Sequence, residues 1–259
     1  MEVSVIMSEY STEYKILKAA ILSIINQTYR DFEFIIVNDG DNNQLRELVK
    51  EIDDNRVKLI ENKYNIGLAK SLNKAIDYSS GKYLVRMDTD DIAHPKRIEK
   101  QLSFIKENYK YSVIGTSVNI LTESNEIIPK ISKGEIDANK LMNRVAPVHP
   151  SVIMKKKDIL EVGKYETKNV DRCEDFVLWA KLLLSGKRIY IMDDVLLDYR
   201  VTINDYKKRK LSTRKDEIYN RIKYYSKFQA SFGQYVSIFK SMIAGIIPYR
   251  VMAWYHRKN

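Results

Sequence analysis

Hydrophobic and polar residues follow two alternating periods along the first ninety positions of this chain. Short runs rich in Val, Ile, Phe and Tyr predict buried strands, and most are followed by stretches in which apolar residues recur every three or four positions, as on one face of a helix. Turn-rich clusters such as Asn38-Asp39-Gly40-Asp41 separate them. The predicted strands cover residues 3–7, 32–37, 57–61 and 83–87, and the predicted helices cover about 13–27, 45–52 and 68–78.

The pattern is less regular in the second half. An apolar stretch at 148–154 contains Pro150, and because proline cannot donate a ladder hydrogen bond, it is predicted to be an edge strand. Glu174 and Asp175 open an amphipathic helix that Gly186 ends, since negative charge favours a helix N-terminus and glycine its end. The other predicted segments are the helix body at 176–184, extended stretches at 188–192 and 195–201, and a surface excursion at 122–134.

This alternation predicts an α/β fold with a mostly parallel sheet flanked by helices. Residues 1–205 are predicted to form one domain and residues 206–259 a helical extension. Ligands of such sheets bind outside the carboxyl ends of the strands. Three polar groups lie there: Ser8-Glu9-Tyr10, Asn38-Asp39-Gly40 and Asp88-Thr89-Asp90-Asp91.

The acidic segment Asp88–Asp91 places three carboxylates within four residues, directly after a predicted strand. Carboxylates so close repel one another, and oxygen ligands of this type hold Mg²⁺ or Mn²⁺, with substrate phosphates completing the shell. The alternative is a solvated turn or helix cap, where aspartates are common. The chain has neither a P-loop nor a Gly-x-Gly-x-x-Gly motif, which argues against an ordinary NTPase and a dinucleotide reductase.

The net charge of +10 resides in the last 54 residues. Residues 206–259 carry 13 Lys and Arg against 2 Asp and Glu, so the rest of the chain is nearly neutral. Tyrosines between the basic residues favour a helix at an anionic membrane surface, and a helix packed on the core is the alternative. Nucleic acid is not an expected partner, because a nucleic-acid binder spreads basic residues over its docking domain.

The single cysteine, Cys173, excludes an intramolecular disulfide and suits a reducing cytoplasm. The first seven residues lack the basic region and the long apolar run of a signal peptide, so export is not expected. The late apolar stretch, 235–255, is interrupted by Lys240, Pro248 and Arg250. It therefore predicts a segment at a membrane interface and not a spanning helix.

Six motifs, taken in order, resemble those of the family 2 inverting glycosyltransferases. They are Val3-Ser4-Val5-Ile6-Met7, Ile24-x-Asn26-Gln27-Thr28-Tyr29-x-Asp31-Phe32-Glu33, Ile36-Val37-Asn38-Asp39-Gly40, Asn65-Ile66-Gly67, Asp88-Thr89-Asp90-Asp91 and Glu174-Asp175. The resemblance implies a GT-A fold, with a nucleotide-sugar-binding half at about 1–120 and an acceptor-side half at 121–205. Within the family, the chain resembles bacterial exopolysaccharide and capsule transferases through Arg86, Asp88, Asp90, Asp91, Pro95, Arg97, Glu99 and Gln101.

The resemblance implies a site for a UDP-sugar donor. Ser8 and Tyr10 would line the uracil pocket, and Asp39 would accept a hydrogen bond from the base. The alternatives are a strand-end turn for Ser8 and Asp39 and a half-buried aromatic for Tyr10. The residues assigned to the nucleotide sugar are Ser8, Tyr10, Asp39, Asn65, Lys70, Asp88 and Asp91.

A metal site is implied beside the donor. Asp90 would bind Mn²⁺ or Mg²⁺ directly, Asp88 would hold the ribose or a metal-bound water, and Asp91 would face the sugar. Relatives often carry Pro, Asp and Arg where this chain has Ser8, Asn38 and Leu72, and many have a His soon after the pair Tyr199-Arg200, which is absent here. Lys70 would replace the lost arginine near the diphosphate, or is a solvated lysine.

Asp175 matches the catalytic base of the family. It would take the proton from the acceptor hydroxyl while that oxygen attacks the anomeric carbon. His149, Glu174 and Arg200 are assigned to the acceptor side, with a helix cap as the favoured alternative for Glu174 and a structural role for His149.

The resemblance implies transfer of a sugar from a UDP-sugar to a polyprenyl-diphosphate-linked saccharide in exopolysaccharide, capsule or O-antigen assembly. With the basic extension, it predicts a cytoplasmic protein at the inner face of the plasma membrane. The rival hypotheses are a catalytically idle GT-A-like binding module at the membrane and a nucleotidyltransferase. The latter lacks support because the first strand is not followed by a Gly-rich phosphate loop.

Overall fold

The computed structural model of this protein describes residues 1–124, 126–202, 214–236 and 238. In the first ninety residues the strands and helices follow the predicted order. They are β1 (Val3–Glu9), α1 (Tyr14–Ile25), β2 (Phe32–Asn38), α2 (Asn43–Ile52), β3 (Val57–Glu61), α3 (Leu68–Tyr78) and β4 (Tyr83–Arg86).

The second half adds six strands and five helices to the described part of the chain. They are β5 (Ile92–Ala93), α4 (Arg97–Glu107), β6 (Tyr111–Thr122), β7 (Ile127–Lys130), β8 (Gly134–Ile136), α5 (Ala138–Met142), β9 (Ile153–Lys155), α6 (Lys156–Glu161), α7 (Glu174–Leu184), β10 (Arg188–Val201) and α8 (Lys215–Lys227). The two extended segments predicted at 188–192 and 195–201 form the one strand β10, with register shifts between Met192 and Val195. The excursion at 122–134 contains β7, whose residues are exposed.

The described strands form a mixed sheet in the order β3-β2-β1-β4-β9-β6-β10-β5, with β7 and β8 at its periphery. β3, β2, β1 and β4 are parallel, because helices connect them in sequence. β9 is antiparallel to both β4 and β6. The parallel half therefore presents the carboxyl ends of β1, β2 and β4 at one edge.

The prediction of an edge strand at 148–154 is wrong. Pro150 lies in a 3₁₀ turn, His149–Ser151, and β9 begins only at Ile153, in the middle of the sheet between β4 and β6. Because the proline precedes the strand, it removes no ladder hydrogen bond. The turn instead brings His149 and Pro150 to the neighbourhood of β4.

Helices cover both faces of the sheet, and this explains why the sequence of β2 is almost continuously apolar. Ile35 and Val37 pack with Leu72 of α3 on one face. Phe34 and Ile36 pack with residues of α1 on the other. Since successive strand residues point to opposite faces and both faces are buried, every position of β2 must be apolar or internally paired.

Helix α7 ends as the sequence predicts. Gly186 has a φ of 73°, its N–H donates to the carbonyl of Leu183 at 3.1 Å, and the N–H of Lys187 donates to the carbonyl of Leu182 at 2.9 Å. These two bonds satisfy the last carbonyls of the helix in a left-handed termination that glycine adopts without strain.

The described part of the C-terminal extension packs on the core. Tyr224 and Tyr225 of α8 are 4% and 0% exposed, with ring centroids 6.1 and 6.5 Å from that of Phe176. These two rings are therefore not available to lipid, in contrast to the exposed Tyr219. The basic residues 207–210 and the apolar segment from 239 onward lie outside the described residues. In the described ranges we find no helix with both the length and the apolar character needed to traverse a membrane.

Candidate active site

The ends of β1 and β2 bring two of the predicted donor segments together. The strands pair in register, so that Glu9 lies opposite Asn38, and Ser8 is half-buried one residue earlier. Tyr10 is exposed, and its ring lies so close to Gly40 that a Cβ there would be 2.5 Å from Tyr10 Cδ2. The glycine therefore admits an aromatic ring against the turn, where a planar base could stack on it.

Asp39 is buried and holds the loop that precedes α3. Its Oδ1 accepts from the N–H of Ile66 at 2.8 Å and from Asn62 Nδ2 at 2.9 Å, and its Oδ2 accepts from the N–H of Gly67 at 2.9 Å. A carboxylate has about four acceptor sites, so these bonds use most of them. Asp39 thus fixes the loop on which Asn65 lies, and its predicted contact with a base would use the remaining capacity.

Asn65 and Lys70, the two other predicted donor residues of this region, are both exposed. Lys70 lines a cleft of about 290 Å³ together with Gly67, Arg172 and Glu174. The structure therefore brings the lysine to the same cleft as Glu174, whereas Asn65 does not line it.

The three aspartates after β4 converge. Carboxylate oxygens of Asp88, Asp90 and Asp91 lie within 4.8 Å of one another. Asp88 forms an ion pair with the buried Arg86. Arg200 holds the segment from the opposite side, since its backbone N–H donates to Asp91 Oδ1 at 2.8 Å and its Nε donates to the carbonyl of Asp90 at 2.9 Å. Arg200 therefore stabilises the conformation of the acidic segment. From the sequence it is predicted only as a residue of the acceptor side.

Asp91 supplies the sharpest sign that a cation belongs here. Its side chain is fully buried, and its Oδ2 has no hydrogen-bond partner. Burial raises its pKa well above the ordinary value, and the charges of Asp88 and Asp90 raise it further. Since oxygen ligands are what Mg²⁺ and Mn²⁺ prefer, these three residues fit such an ion. From the sequence only Asp88 and Asp90 are predicted metal ligands, and the unpartnered oxygen makes Asp91 a third residue that could hold an ion.

A buried arginine and a buried glutamine of helix α4 stabilise the backbone next to this segment. Arg97 donates to the carbonyl of Arg86 at 2.8 Å and to that of Pro150 at 2.6 Å. Gln101 accepts from Arg97 Nε at 3.1 Å and donates to the carbonyl of Ser151 at 2.9 Å. Burial lowers the pKa of Arg97 to about 9. The motif residues 97 and 101 thus tie the end of β4 to the 3₁₀ turn, and they act on the site through its backbone.

Glu174 and Asp175 begin helix α7, as predicted. Asp175 Oδ1 accepts from the N–H of Phe176 at 2.6 Å, and burial raises the pKa of Asp175 above its ordinary value. Burial, reinforced by the charge of Asp175, raises the pKa of Glu174 to about 7. A carboxylate with a raised pKa in a cleft is suited to proton transfer near neutral pH.

His149 is a buried neighbour of this pair. Its Nε2 lies 2.8 Å from the hydroxyl of Tyr165, and its Nδ1 lies 3.9 Å from Glu174 Oε1. Burial and the charge of Arg86 lower its pKa well below 6.5, so the ring is neutral at neutral pH. The geometry matches the structural alternative for this histidine, because its ring packs among Tyr165 and Trp179.

Asp175 lines a second, larger cleft of about 460 Å³. No sequence motif points to most of the charged residues around this cleft. Arg144 and Arg172 carried no motif, and Arg214 and Arg221 were counted only with the basic extension. The charged residues lining the cleft are Arg144, Arg172, Asp175, Arg214, Glu217 and Arg221.

The model of the family described as Glycosyl transferase family 2 matches residues 4–163. This match covers β1 to α6 and includes the acidic segment. The chain belongs to this family. The predicted membership of family 2 is therefore confirmed, while the motif Glu174-Asp175 lies beyond the matched residues.

Two relatives of this family 2 glycosyltransferase also bear the name of glycosyltransferases. A protein of Methanocaldococcus jannaschii described as an uncharacterized glycosyltransferase is 32% identical over 254 residues, which cover 95% of this chain and 87% of the relative. The Escherichia coli protein named UDP-Glc:alpha-D-GlcNAc-diphosphoundecaprenol beta-1,3-glucosyltransferase WfgD is 31% identical over 182 residues, covering 70% of this chain and 69% of that protein.

The fold of this family 2 glycosyltransferase matches solved structures of S. aureus TarS. The structure of TarS residues 1–349 in complex with UDP-GlcNAc superposes with a TM-score of 0.65 at 17% identity, over 98% of this chain and 83% of that one. In the longer TarS structure, which gives the same TM-score at 19% identity, the chain spans 39% of the TarS length. The predicted α/β class with a GT-A fold is confirmed.

Proposed function

We propose that this glycosyltransferase is an inverting, metal-dependent enzyme that moves a sugar from a UDP-sugar to a lipid-linked saccharide, with Asp175 as the general base. The observation that carries the proposal is the pairing of two carboxylate sites. Asp91 leaves a buried, unpartnered oxygen in the acidic cluster, and Asp175, whose pKa burial raises, lines the cleft of about 460 Å³.

The chemistry follows from that separation of roles. Asp175 accepts the proton of the acceptor hydroxyl as the oxygen forms its bond to the anomeric carbon, and the bond to the UDP oxygen breaks on the opposite face, which inverts the configuration. A divalent cation held by Asp88, Asp90 and Asp91 would neutralise the diphosphate of the leaving nucleotide. Tyr10 and Asp39 would receive the base.

Two neighbours support the choice of substrates. The TarS structure holds UDP-GlcNAc, and the name of the E. coli relative gives UDP-glucose as its donor and a diphosphoundecaprenol-linked sugar as its acceptor. A UDP-hexose or UDP-N-acetylhexosamine donor and a polyprenyl-diphosphate-linked acceptor are therefore the proposed pair, in exopolysaccharide, capsule or O-antigen assembly at the cytoplasmic face of the membrane.

The test is release of UDP from a panel of UDP-sugars, measured with Mn²⁺ and with EDTA. We expect activity with Mn²⁺ and a loss of at least about 100-fold with EDTA. In Asp175→Asn, transfer should fall on the order of 10²- to 10⁴-fold, because the base is gone, while the affinity for UDP stays within about twofold. Full activity in this variant would remove Asp175 from the mechanism, and a wild-type protein that binds UDP but releases none would be an idle module.

A further inference from the structure

The larger cleft, which Asp175 lines, has one wall made by the C-terminal extension. Arg214, Glu217 and Arg221 line it, and they lie at the start and in the first two turns of helix α8. The residues that match the family model end at 163. This chain therefore adds, in the cleft of the proposed base, a wall that the family model does not describe.

The arginines that line this cleft already have partners inside the protein. Arg221 Nε donates to Glu217 Oε1 at 2.9 Å, and the guanidinium of Arg144 lies 3.7 Å from the same oxygen. Arg172 and Arg214 also have interaction partners. A phosphate would have to displace these partners, whereas a neutral ligand with many hydroxyl groups would not.

Glu217 keeps one carboxylate oxygen for such a ligand. Its hydrogen bond and its ion pairs all involve Oε1, and no described residue donates a hydrogen bond to Oε2. Its side chain is 19% exposed and lines the cleft. Although burial opposes ionisation, the charge and the hydrogen bond of Arg221 lower the pKa of Glu217. An ionised carboxylate oxygen is a strong acceptor for a hydroxyl proton.

A buried hydrogen-bond donor of the same cleft also lacks a partner. Trp179 lies one turn after Asp175 in helix α7, lines the cleft and is fully buried, and its Nε1–H has no acceptor among the described residues. Buried polar groups are nearly always paired, so this N–H indicates a ligand with acceptor oxygens. Phe176 and Leu141 add apolar surface. A saccharide offers hydroxyl donors, acceptor oxygens and apolar C–H groups together.

We propose that Glu217 is a specificity residue for the acceptor, and that its Oε2 accepts a hydrogen bond from a hydroxyl of the acceptor saccharide. The proposal rests on the proposed function, since the reacting hydroxyl of the same saccharide must reach Asp175. Both carboxylates line one cleft, whose volume of about 460 Å³ lies within the range of small-ligand sites. Helix α8 of the extension thereby takes part in the choice of acceptor.

The test uses Glu217→Gln in the full chain. Because Arg221 Nε needs an acceptor, the amide oxygen stays toward Arg221 and the NH₂ group takes the place of Oε2, which replaces an acceptor by a donor. Glu135→Gln is the matched control, because Glu135 also pairs with an arginine, Arg188, and does not line the cleft. The probes are the methyl α-glycosides of glucose, galactose, N-acetylglucosamine and N-acetylgalactosamine, titrated by saturation-transfer NMR in saturating UDP and Mn²⁺.

We expect the wild type to bind at least one glycoside, and Glu217→Gln to bind it at least about fivefold more weakly, with the control within about twofold of the wild type. Deoxy analogues of that glycoside then identify the contact. Removal of one hydroxyl should weaken binding to the wild type at least about fivefold and to Glu217→Gln less than about twofold, a coupling that a purely structural role would not produce. No binding to the wild type, unchanged affinity in the variant, or no coupling at any hydroxyl would overturn the proposal.

The sugar of the donor is the other possible source of such a hydroxyl. Glu217→Gln should bind UDP-hexoses within about twofold of the wild type, and an equal loss there would assign Glu217 to the donor sugar and overturn the proposal. If Glu217→Gln does not fold by circular dichroism, Glu217→Asp is measured, with at least about threefold weaker glycoside binding expected and unchanged affinity overturning the proposal. Failure of the proposed function is a different result: the wild type would release no UDP from nucleotide sugars, whereas glycoside binding would still depend on Glu217.

Discussion

Glu174 and Asp175 are adjacent in the chain, and burial raises the pKa of both carboxyl groups. The charge of Asp175 contributes to the raised pKa of Glu174. The groups that face Glu174 are Asp175 and Asp88, which raise its pKa, Arg86, which lowers it, and the neutral His149. Burial and the neighbouring carboxylates therefore favour the protonated form of Glu174.

The ionisation of Glu174 should make the stability of the protein depend on pH. The pKa of Glu174 is about 7 in the folded protein against an ordinary value of 4.5. A raised carboxyl pKa contributes stability that is fully present below pH 4.5 and is lost as the pH rises through 7. Glu174→Gln mimics the protonated form, so it should raise the free energy of unfolding at pH 8 by roughly 1–3 kcal/mol and by less than about 1 kcal/mol at pH 5.

Urea denaturation at the two pH values measures this difference. The exposed Glu107, near the end of α4, gives the matched control Glu107→Gln, which should change the free energy of unfolding by less than about 0.5 kcal/mol at either pH. A Glu174→Gln variant that is destabilised more at pH 8 than at pH 5 would show that the ionised carboxylate stabilises the fold.

Helix α4 illustrates how one element supports the site from a distance. Arg97 and Gln101 lie one turn apart on its buried face and reach the end of β4, strand β6 and the 3₁₀ turn. The sequence pattern singled out both positions, but as members of a family motif. In the structure both side chains hydrogen-bond to backbone carbonyls around the acidic segment. They therefore support the site and are not among the residues predicted to contact the nucleotide sugar.

We predict that Gln101→Leu destabilises the protein by about 2–4 kcal/mol. The substitution leaves the buried carbonyls of Ile114 and Ser151 and the Nε of Arg97 without their partner. Thermal or urea unfolding measures the loss. Glu107→Gln, at the exposed end of α4, should change the free energy of unfolding by less than about 0.5 kcal/mol. Equal stabilities of the two variants would show that these bonds contribute little.

At the scale of the whole molecule, a nearly neutral body carries a basic C-terminal extension. Part of that extension is core, since Tyr224 and Tyr225 are buried. Other large apolar side chains in it face solvent, among them Tyr219, Ile222 and Phe232. Exposed apolar groups beside basic residues are typical of membrane-surface helices, so membrane contact stays our proposal for this side.

We predict that the full chain sediments with phosphatidylglycerol vesicles and that the bound fraction falls steeply with salt, because surface charges are screened over about 10 Å at 0.1 M ionic strength. Replacing Lys207, Lys208, Arg209 and Lys210 by Gln should weaken binding at least about tenfold, at roughly 1 kcal/mol per residue. Replacing four exposed lysines of the body, Lys15, Lys50, Lys82 and Lys157, should weaken it far less. Binding that is insensitive to salt and to the first set would rule out electrostatic attachment.

The sequence by itself determined the order of the elements from β1 to α3, the start of α7 at Glu174 and the acidic segment after β4. These features are local: a strand, a helix, a cap and a turn each depend on the side-chain period and on residues a few positions apart. The sequence also placed the carboxyl ends of the parallel strands at one edge, because helical crossovers leave little choice of direction.

Only the tertiary structure decided which distant residues meet. It places β9 in the centre of the sheet and not at the predicted edge. The sequence could not show this, because the pairing of strands far apart in the chain produces no periodic pattern of side chains. It used most of the acceptor capacity of Asp39 inside the protein, left an oxygen of Asp91 without a partner, and gathered arginines from the body and the extension around Asp175. Burial and the approach of charges set these properties, and both are products of packing over the whole chain.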